Sequence, residues 1–361
     1  MKLIYDLRHL TGTMHGMARY ALELLRAMLA AAGDELGVGV LLRRREHAEV
    51  VPRDPRVVRL VFDLAPYGLW TQLRLPTLLS FLDHDLYHCP FYAPPVGHRG
   101  PMVFTVHDLI HLRFPSHHGL KHRLFYRGVV APAARRARAV FTVSRHSKAD
   151  LVELLGVAPE KVVITPNGVG EVFRPLPPAE REAAARRLGL PWPFLLGVGN
   201  PKPHKNLGAL VEAWRRLGPG RPGLVLVGVE PGQVSGAEPG PELVMLPRLG
   251  DAEMAAAYGA AAVVVVPSLY EGFGLPALEA LACGAPVVAG DRASLPEVVG
   301  EAGLLVAPEP EALAAAIRRV LGDEELAARL REAGPRRARR FSWERTARIT
   351  LATYRRVLGG K

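Results

Sequence analysis

Apolar residues in this chain come in short unbroken runs, and each run is followed by a stretch with helical spacing. Such runs occupy 2–6, 37–42, 57–61, 85–90 and 102–108, and two more end at Ser144 and at Asn167–Gly168. Others fall at 194–198, 223–229, 242–247, 263–266 and 303–306, with one beginning at Pro286. Runs this short, with little polar alternation and many β-branched residues, predict strands covered on both faces. Helical periodicity intervenes, as in Ala21, Leu22, Leu24, Leu25 and Met28, or Leu278, Leu281 and Ala282. It returns near Asn206, over 310–321 and in the closing FSWERTARITLATYRRVL. Strand and helix in alternation predict an α/β chain whose parallel sheets carry helices on both faces. Ligands of such sheets gather at the C-terminal ends of the strands. EVFRPLPPAE (171–180) is proline-rich and reads as an interdomain linker, dividing residues 1–172 from 173–340, with 341–361 as a terminal helix.

Composition narrows the class. At 361 residues, 49% hydrophobic and 22% charged, the chain has room for two globular domains. It has no apolar run near the ~20 residues that span a bilayer. MKLIYDLRHL reads as a strand, not as a signal peptide. Two cysteines make neither a disulfide framework nor a metal set, so a cytoplasmic location is expected. Three Asn, two Gln and 32 Pro fit a thermophile, and a GC-rich genome would produce much of the same bias.

The net charge is +11, and residues 1–172 hold 22 basic side chains against 15 acidic. The basic residues are mostly Arg spread along helices without an aromatic-rich binding motif, which argues against nucleic acid. An anionic substrate or membrane surface suits them as well. KHRLFYRGVVAPAARRAR (121–138) mixes basic with apolar residues and reads as a surface helix pair, broken at Pro132, or as a contact with anionic lipid. His111, His117, His118 and His122 lack a compelling ligand spacing and read as a solvated loop. Asp83-His84-Asp85 precedes its strand, whereas a ligand-facing pair should follow one, so no metal site is expected there.

The chemistry concentrates in AVVVVPSLYEGFGLPALEALACGAPVVAG (262–290). A strand, a glycine loop and a helix entered at Pro276 make an anion-accepting terminus, where Gly272 and Gly274 allow close backbone approach. Glu271 and Glu279 would repel a diphosphate directly, but each can accept from hydroxyls on either side of one. Their plainer reading is a loop carboxylate and a surface helix charge. Lys205 opens a helix at the same predicted sheet edge and supplies a compact charge for a phosphate, or is simply solvated. His107, with Asp108, stands at a strand end. Gly12 and Gly16 precede the first helix and serve either phosphate approach or a tight turn. Asp251 is placed to cap a helix, and Ser144 either caps the next one or touches ligand.

EGFGLPALEALACGAPVV, with two Glu separated by seven residues, resembles the signature of the retaining group 1 (family 4) glycosyltransferases. The resemblance covers nearly the whole chain and is densest at 194–306. It implies a GT-B fold, with two Rossmann-like domains facing each other across a cleft and a C-terminal helix crossing back to the first. It also implies a nucleotide-sugar donor, a glycan or lipid-linked acceptor on the N-terminal side, and no cofactor. On that resemblance Glu271 contacts the donor sugar and Glu279 the ribose, while backbone at Phe273, Gly274 and Leu275 meets the sugar and diphosphate. His107 lies near the sugar. Lys205, in GNPKPHKN with Asn200 and His204, meets the diphosphate; His204 stands where the family has Arg, and either it or Lys202 covers that charge. Pro247 to Leu249 lies against the base. Gly16 belongs to a first loop whose second glycine is Ala18 here. SLPEVVG (294–300) favours GDP-mannose. The rival readings are another GT-B chemistry, such as an epimerase or a sugar synthase, and a non-catalytic binding subunit.

Overall fold

The structure, a computed structural model, describes residues 1–11, 16–114 and 120–359; Gly12, His117 and His118 lie outside them. The chain divides into two units, Met1–Gly168 with Trp343–Lys361, and Val169–Ser342.

The first unit holds seven parallel strands: β1 (Lys2–Asp6), β2 (Gly37–Leu42), β3 (Val57–Val61), β4 (Leu86–Cys89), β5 (Met102–Thr105), β6 (Ala139–Thr142) and β7 (Val162–Ile164). Their order is β3-β2-β1-β4-β5-β6-β7. The chain steps outward from β1 to β3, then returns to β4 and steps the other way. Right-handed crossovers therefore put the connecting helices on opposite faces. Helix α1 (Gly16–Ala31) covers one face. On the other lie α2 (Leu69–Phe81), the short α3 (Ile110–Arg113), α4 (Leu120–Phe125), α5 (Ala131–Arg136) and α6 (Arg145–Leu155). Leu75 and Leu79 of α2, Val130, and Leu151 and Leu155 of α6 share one core with Ile4, Tyr87 and Phe104 of the sheet.

Helix α4 does not stop before Pro132 as expected. It runs through a five-residue π turn, Tyr126–Val130, into α5, and the Ala131 N–H bonds the Tyr126 carbonyl five residues back. Pro132 then falls in the first turn of α5, where its ring is tolerated. Four strands of this unit also end earlier than their apolar runs, β4 by one residue at Cys89. β5 stops at Thr105, leaving His107 and Asp108 in the loop, while β6 and β7 stop at Thr142 and Ile164. Ser144 caps α6, its Oγ accepting the Ser147 N–H at 3.0 Å.

In the second unit the strands are β8 (Phe194–Val198), β9 (Gly223–Val227), β10 (Leu243–Leu246), β11 (Val263–Val266), β12 (Val287–Gly290) and β13 (Leu304–Val306). All pair in parallel, in the order β10-β9-β8-β11-β12-β13. The helices are α7 (Arg181–Arg187), α8 (Leu207–Arg215), α9 (Asp251–Ala260), α10 (Leu275–Ala282), α11 (Leu295–Val299), α12 (Pro310–Gly322) and α13 (Glu324–Ala338). Gly250, not Asp251, is the residue before α9, and its N–H is taken by the Glu253 carboxylate at 2.9 Å. Asp251 is already helical. The proline-rich stretch is packed onto this unit, with Phe173 buried and Leu176 against Gly259.

The last helix, α14 (Trp343–Gly359), belongs to the first unit. Trp343 stacks edge-on to Tyr20 of α1, with ring centroids 5.9 Å apart, and the Tyr354 hydroxyl bonds His88 of β4.

Candidate active site

In the second sheet the strand order reverses between β8 and β11, so their C-terminal ends splay apart and open a crevice. The segments leaving those two ends carry the site. After β8 the chain passes Asn200, which is exposed, and makes a tight turn at Pro203–Lys205. Asn206 then adopts a left-handed conformation (φ 55°), and its side-chain amide donates to the Pro267 and Pro308 carbonyls at 3.1 and 2.8 Å. The Leu269 N–H bonds the His204 carbonyl at 2.8 Å, joining the segment after β11 to the one after β8.

That join sets the central contact. Lys205 Nζ lies 2.7 Å from Glu271 Oε1, with the two side chains only 15% and 11% exposed. Ser268 donates to the same oxygen at 2.8 Å. Both donors reach Oε1 and leave Oε2 to accept from a ligand hydroxyl. The lysine also offsets a carboxylate that would otherwise repel a phosphate. The Ser294 hydroxyl bridges the Glu271 and Phe273 carbonyls at 2.9 and 2.8 Å, holding the loop that carries Glu271.

Gly274 ends that loop at φ 103°, a left-handed conformation that favours glycine, and a Cβ there would also press on the tip of the Leu295 side chain at 2.9 Å. Leu275 and Pro276 begin α10, whose first-turn N–H groups have no preceding helical carbonyl. Phe273 is buried against Phe341, with ring centroids 5.7 Å apart. Glu279 projects from the second turn of α10, and Tyr258 of α9 donates to its Oε2 at 3.2 Å. Leu249 lies half-buried between β10 and α9.

The first sheet reverses between β1 and β4. Its β4 end continues into Pro90 and Phe91, and His107 Nε2 donates to the Pro90 carbonyl at 3.0 Å. The carbonyl of His107 accepts from Ser147 at 3.1 Å, and the Tyr20 ring meets the imidazole edge-on at 4.8 Å. Gly16, exposed at the start of α1, is thus connected to His107 through Tyr20, one helical turn on. Behind them Arg8 and Asp6 form a fully buried pair at 2.7 Å, and Tyr87 donates to the same carboxylate at 2.6 Å. Arg8 also reaches the Leu64 carbonyl and Thr71, both at 3.3 Å, fixing the approach to α2. Asp83 and Asp85 sit before β4, where Asp83 pairs with Lys2 and Asp85 takes the Lys2 N–H.

Sequence reasoning passed over Ser268, Tyr258, Ser294, Asn206 and Tyr20 as site residues. Ser268 carries a signal, three residues before Glu271 in the same loop, and Asn206 and Ser294 lie within the GNPKPHKN and SLPEVVG segments; Tyr258 and Tyr20 are brought in from α9 and α1.

Two such parallel-sheet units, each with polar residues at its reversal point, define a two-domain Rossmann-like transferase of the GT-B class. The descriptions "Glycosyl transferases group 1" and "Glycosyltransferase Family 4" match residues 180–337 and 14–171. The chain belongs to the group 1 / family 4 glycosyltransferases.

Among its relatives is the O-antigen chain mannosyltransferase B of Escherichia coli, 28% identical over 98% of this chain and 100% of that protein. A D-inositol 3-phosphate glycosyltransferase of Kineococcus radiotolerans is 37% identical over 58% of this chain and 55% of its own length. The sucrose-phosphate synthase of Thermosynechococcus elongatus has a similar structure, with a TM-score of 0.80, 25% identity and full coverage of both chains. Among the described residues no helix is long and apolar enough to cross a membrane.

Proposed function

We propose that this glycosyltransferase moves mannose from GDP-mannose to a glycan or lipid-linked acceptor, with retention of anomeric configuration and without a divalent metal. The observation that carries the reading is the Lys205–Glu271 pair, braced by Ser268 at the reversal point of the second sheet. Residues 173–340 bind the nucleotide sugar. Lys205 and the first turn of α10 offset charge on the leaving diphosphate, with Asn200, His204, Phe273, Gly274 and Leu275 around it. Glu271 accepts from the sugar hydroxyls, Glu279 from the ribose, and Leu249 lies against the base. Residues 1–172 form the acceptor side, with terminal helix 341–361 packed on them; Gly16 approaches the diphosphate and His107 orients the sugar. The mannosyltransferase relative and the SLPEVVG segment, now placed at α11, support mannose over other sugars.

Nucleotide sugars tested singly for their effect on the melting temperature decide the donor. A ligand at about 100 times its dissociation constant stabilises by ~2.7 kcal/mol, a shift of several degrees. GDP-mannose should give that shift, and UDP-glucose and GDP alone a smaller one. A larger shift with a UDP-sugar would replace the donor assignment. Anomeric NMR of the first product reads retention directly.

A further inference from the structure

The outward side of α2 carries four large apolar residues, with exposed Thr77 and Ser80 among them, where a water-facing helix should be polar throughout. Leu69, Trp70 and Phe81 are 74%, 63% and 82% exposed, and Leu73 is exposed beside them. Leu69 and Leu73 are one turn apart, while Trp70 and Phe81 fall on one line about three turns apart, so all four share a single stripe. The inward side, Thr71, Leu75 and Leu79, is buried on the sheet.

Helix α4 lies on the same sheet face, as the shared core requires. Tyr67, just before α2, meets Phe125 of α4 at 6.1 Å between ring centroids. Exposed Leu124 extends the apolar surface there, with exposed Lys121, Arg123 and Arg127 around it. The charge there is mostly positive: Arg74, Lys121, Arg123 and Arg127 are exposed, and Asp63, beside Trp70 and Arg74, is paired with Arg43 at 3.0 Å. Arg74 sits 4.9 Å over the Trp70 ring, an aromatic–cation pair at the edge of the stripe.

We infer that the outward faces of α2 and α4 form a docking surface for an anionic phospholipid bilayer, with the α2 stripe inserted among the headgroups and the α4 cations on the lipid charge. Apolar area with Trp, Phe and Leu on one face, bordered mainly by basic side chains, with Asp63 held by Arg43, is the chemistry of a helix lying in the interface. The inference extends the acceptor reading of this unit, favouring a lipid-linked acceptor, and relocates the inserting element from 121–138 to α2.

The test is binding of the whole protein to vesicles of phosphatidylcholine with 30% phosphatidylglycerol, and to pure phosphatidylcholine, at low and high KCl. Binding should require the anionic lipid, weaken with salt, and shift the Trp70 emission to the blue; Trp70→Phe should abolish the shift and keep the binding. Leu69→Glu/Leu73→Glu should lower the partition coefficient by about tenfold or more. Arg123→Gln and Arg127→Gln should each lower it about fivefold. All these positions are on the surface, so the melting temperature and its shift with GDP-mannose serve as controls on folding and on donor binding, and separate a failure here from a failure of the donor reading. No binding to anionic vesicles, or binding indifferent to the leucine pair, would overturn the proposal. So would a dimer in light scattering that the leucine pair dissolves, because the stripe would then be covered by a second copy.

Discussion

The two units solve the same topological problem with different interiors. In the second, a segment of twelve residues, Ser268 to Glu279, carries most of the candidate chemistry, and the strands behind it are wholly apolar, as in Val263–Val266. In the first, polar groups are buried within the core itself: the Asp6–Arg8 pair with Tyr87, and His88 between Tyr354 and Thr105. Twelve of the thirteen histidines lie in residues 1–168, and His204 alone in the second unit. A buried polar network holds its members only while every partner is in place. The first unit is therefore the one whose stability depends on protonation, and the second the one where a short loop concentrates function.

The sharpest way to test that contrast is Glu271→Ala. Removing one preorganised contact to the reacting sugar should lower kcat by about 10²–10³ and leave donor affinity nearly unchanged. Equal small losses in both would remove Glu271 from the transition state. Glu279→Ala should weaken donor binding by about tenfold with kcat retained, and Tyr258→Phe, which leaves the carboxylate but frees it from α9, by a few-fold in the same direction. Calorimetric titration with the donor separates these from a rate effect.

Next in size is acid stability. Burial pulls the His88 pKa from 6.5 down to about 3 and that of His98 to about 4. Both are neutral in the fold and bind protons more readily when unfolded. Stability is therefore full above about pH 6.5 and falls as the pH drops toward 4. The melting temperature of His88→Gln should decline less steeply than that of the parent between pH 7 and 4. Parallel curves would put the acid sensitivity elsewhere. The smallest effect is expected from chelator, since Lys205 and the α10 terminus already offer positive charge. Activity lost in chelator and restored by Mg²⁺ or Mn²⁺ would overturn the metal-free mechanism, and loss in Asp83→Ala/Asp85→Ala would point to where the ion binds.

Much of this architecture could be read along the chain because its determinants are local. The strands at Lys2–Asp6, Gly37–Leu42, Val57–Val61 and Val263–Val266 coincide with their apolar runs, and Pro276 opens α10 at its first turn. The spacing of Glu271 and Glu279, with Gly274 between them, was visible because one loop and one helix hold all three. Other features depend on what a residue meets across space. Pro132 breaks no helix because a π turn ahead of it removes the conflict, which depends on how α4 and α5 pack on the sheet. Lys205 finds Glu271 only when β8 and β11 become neighbours at the sheet's reversal, and Tyr258 finds Glu279 only through the packing of α9 beside α10. Nothing along the chain separates Leu69, Trp70 and Leu73 from the core-facing residues of the same helix. Which side of α2 meets the sheet is decided by the burial of Thr71, Leu75 and Leu79, and that choice leaves the other apolar side facing outward.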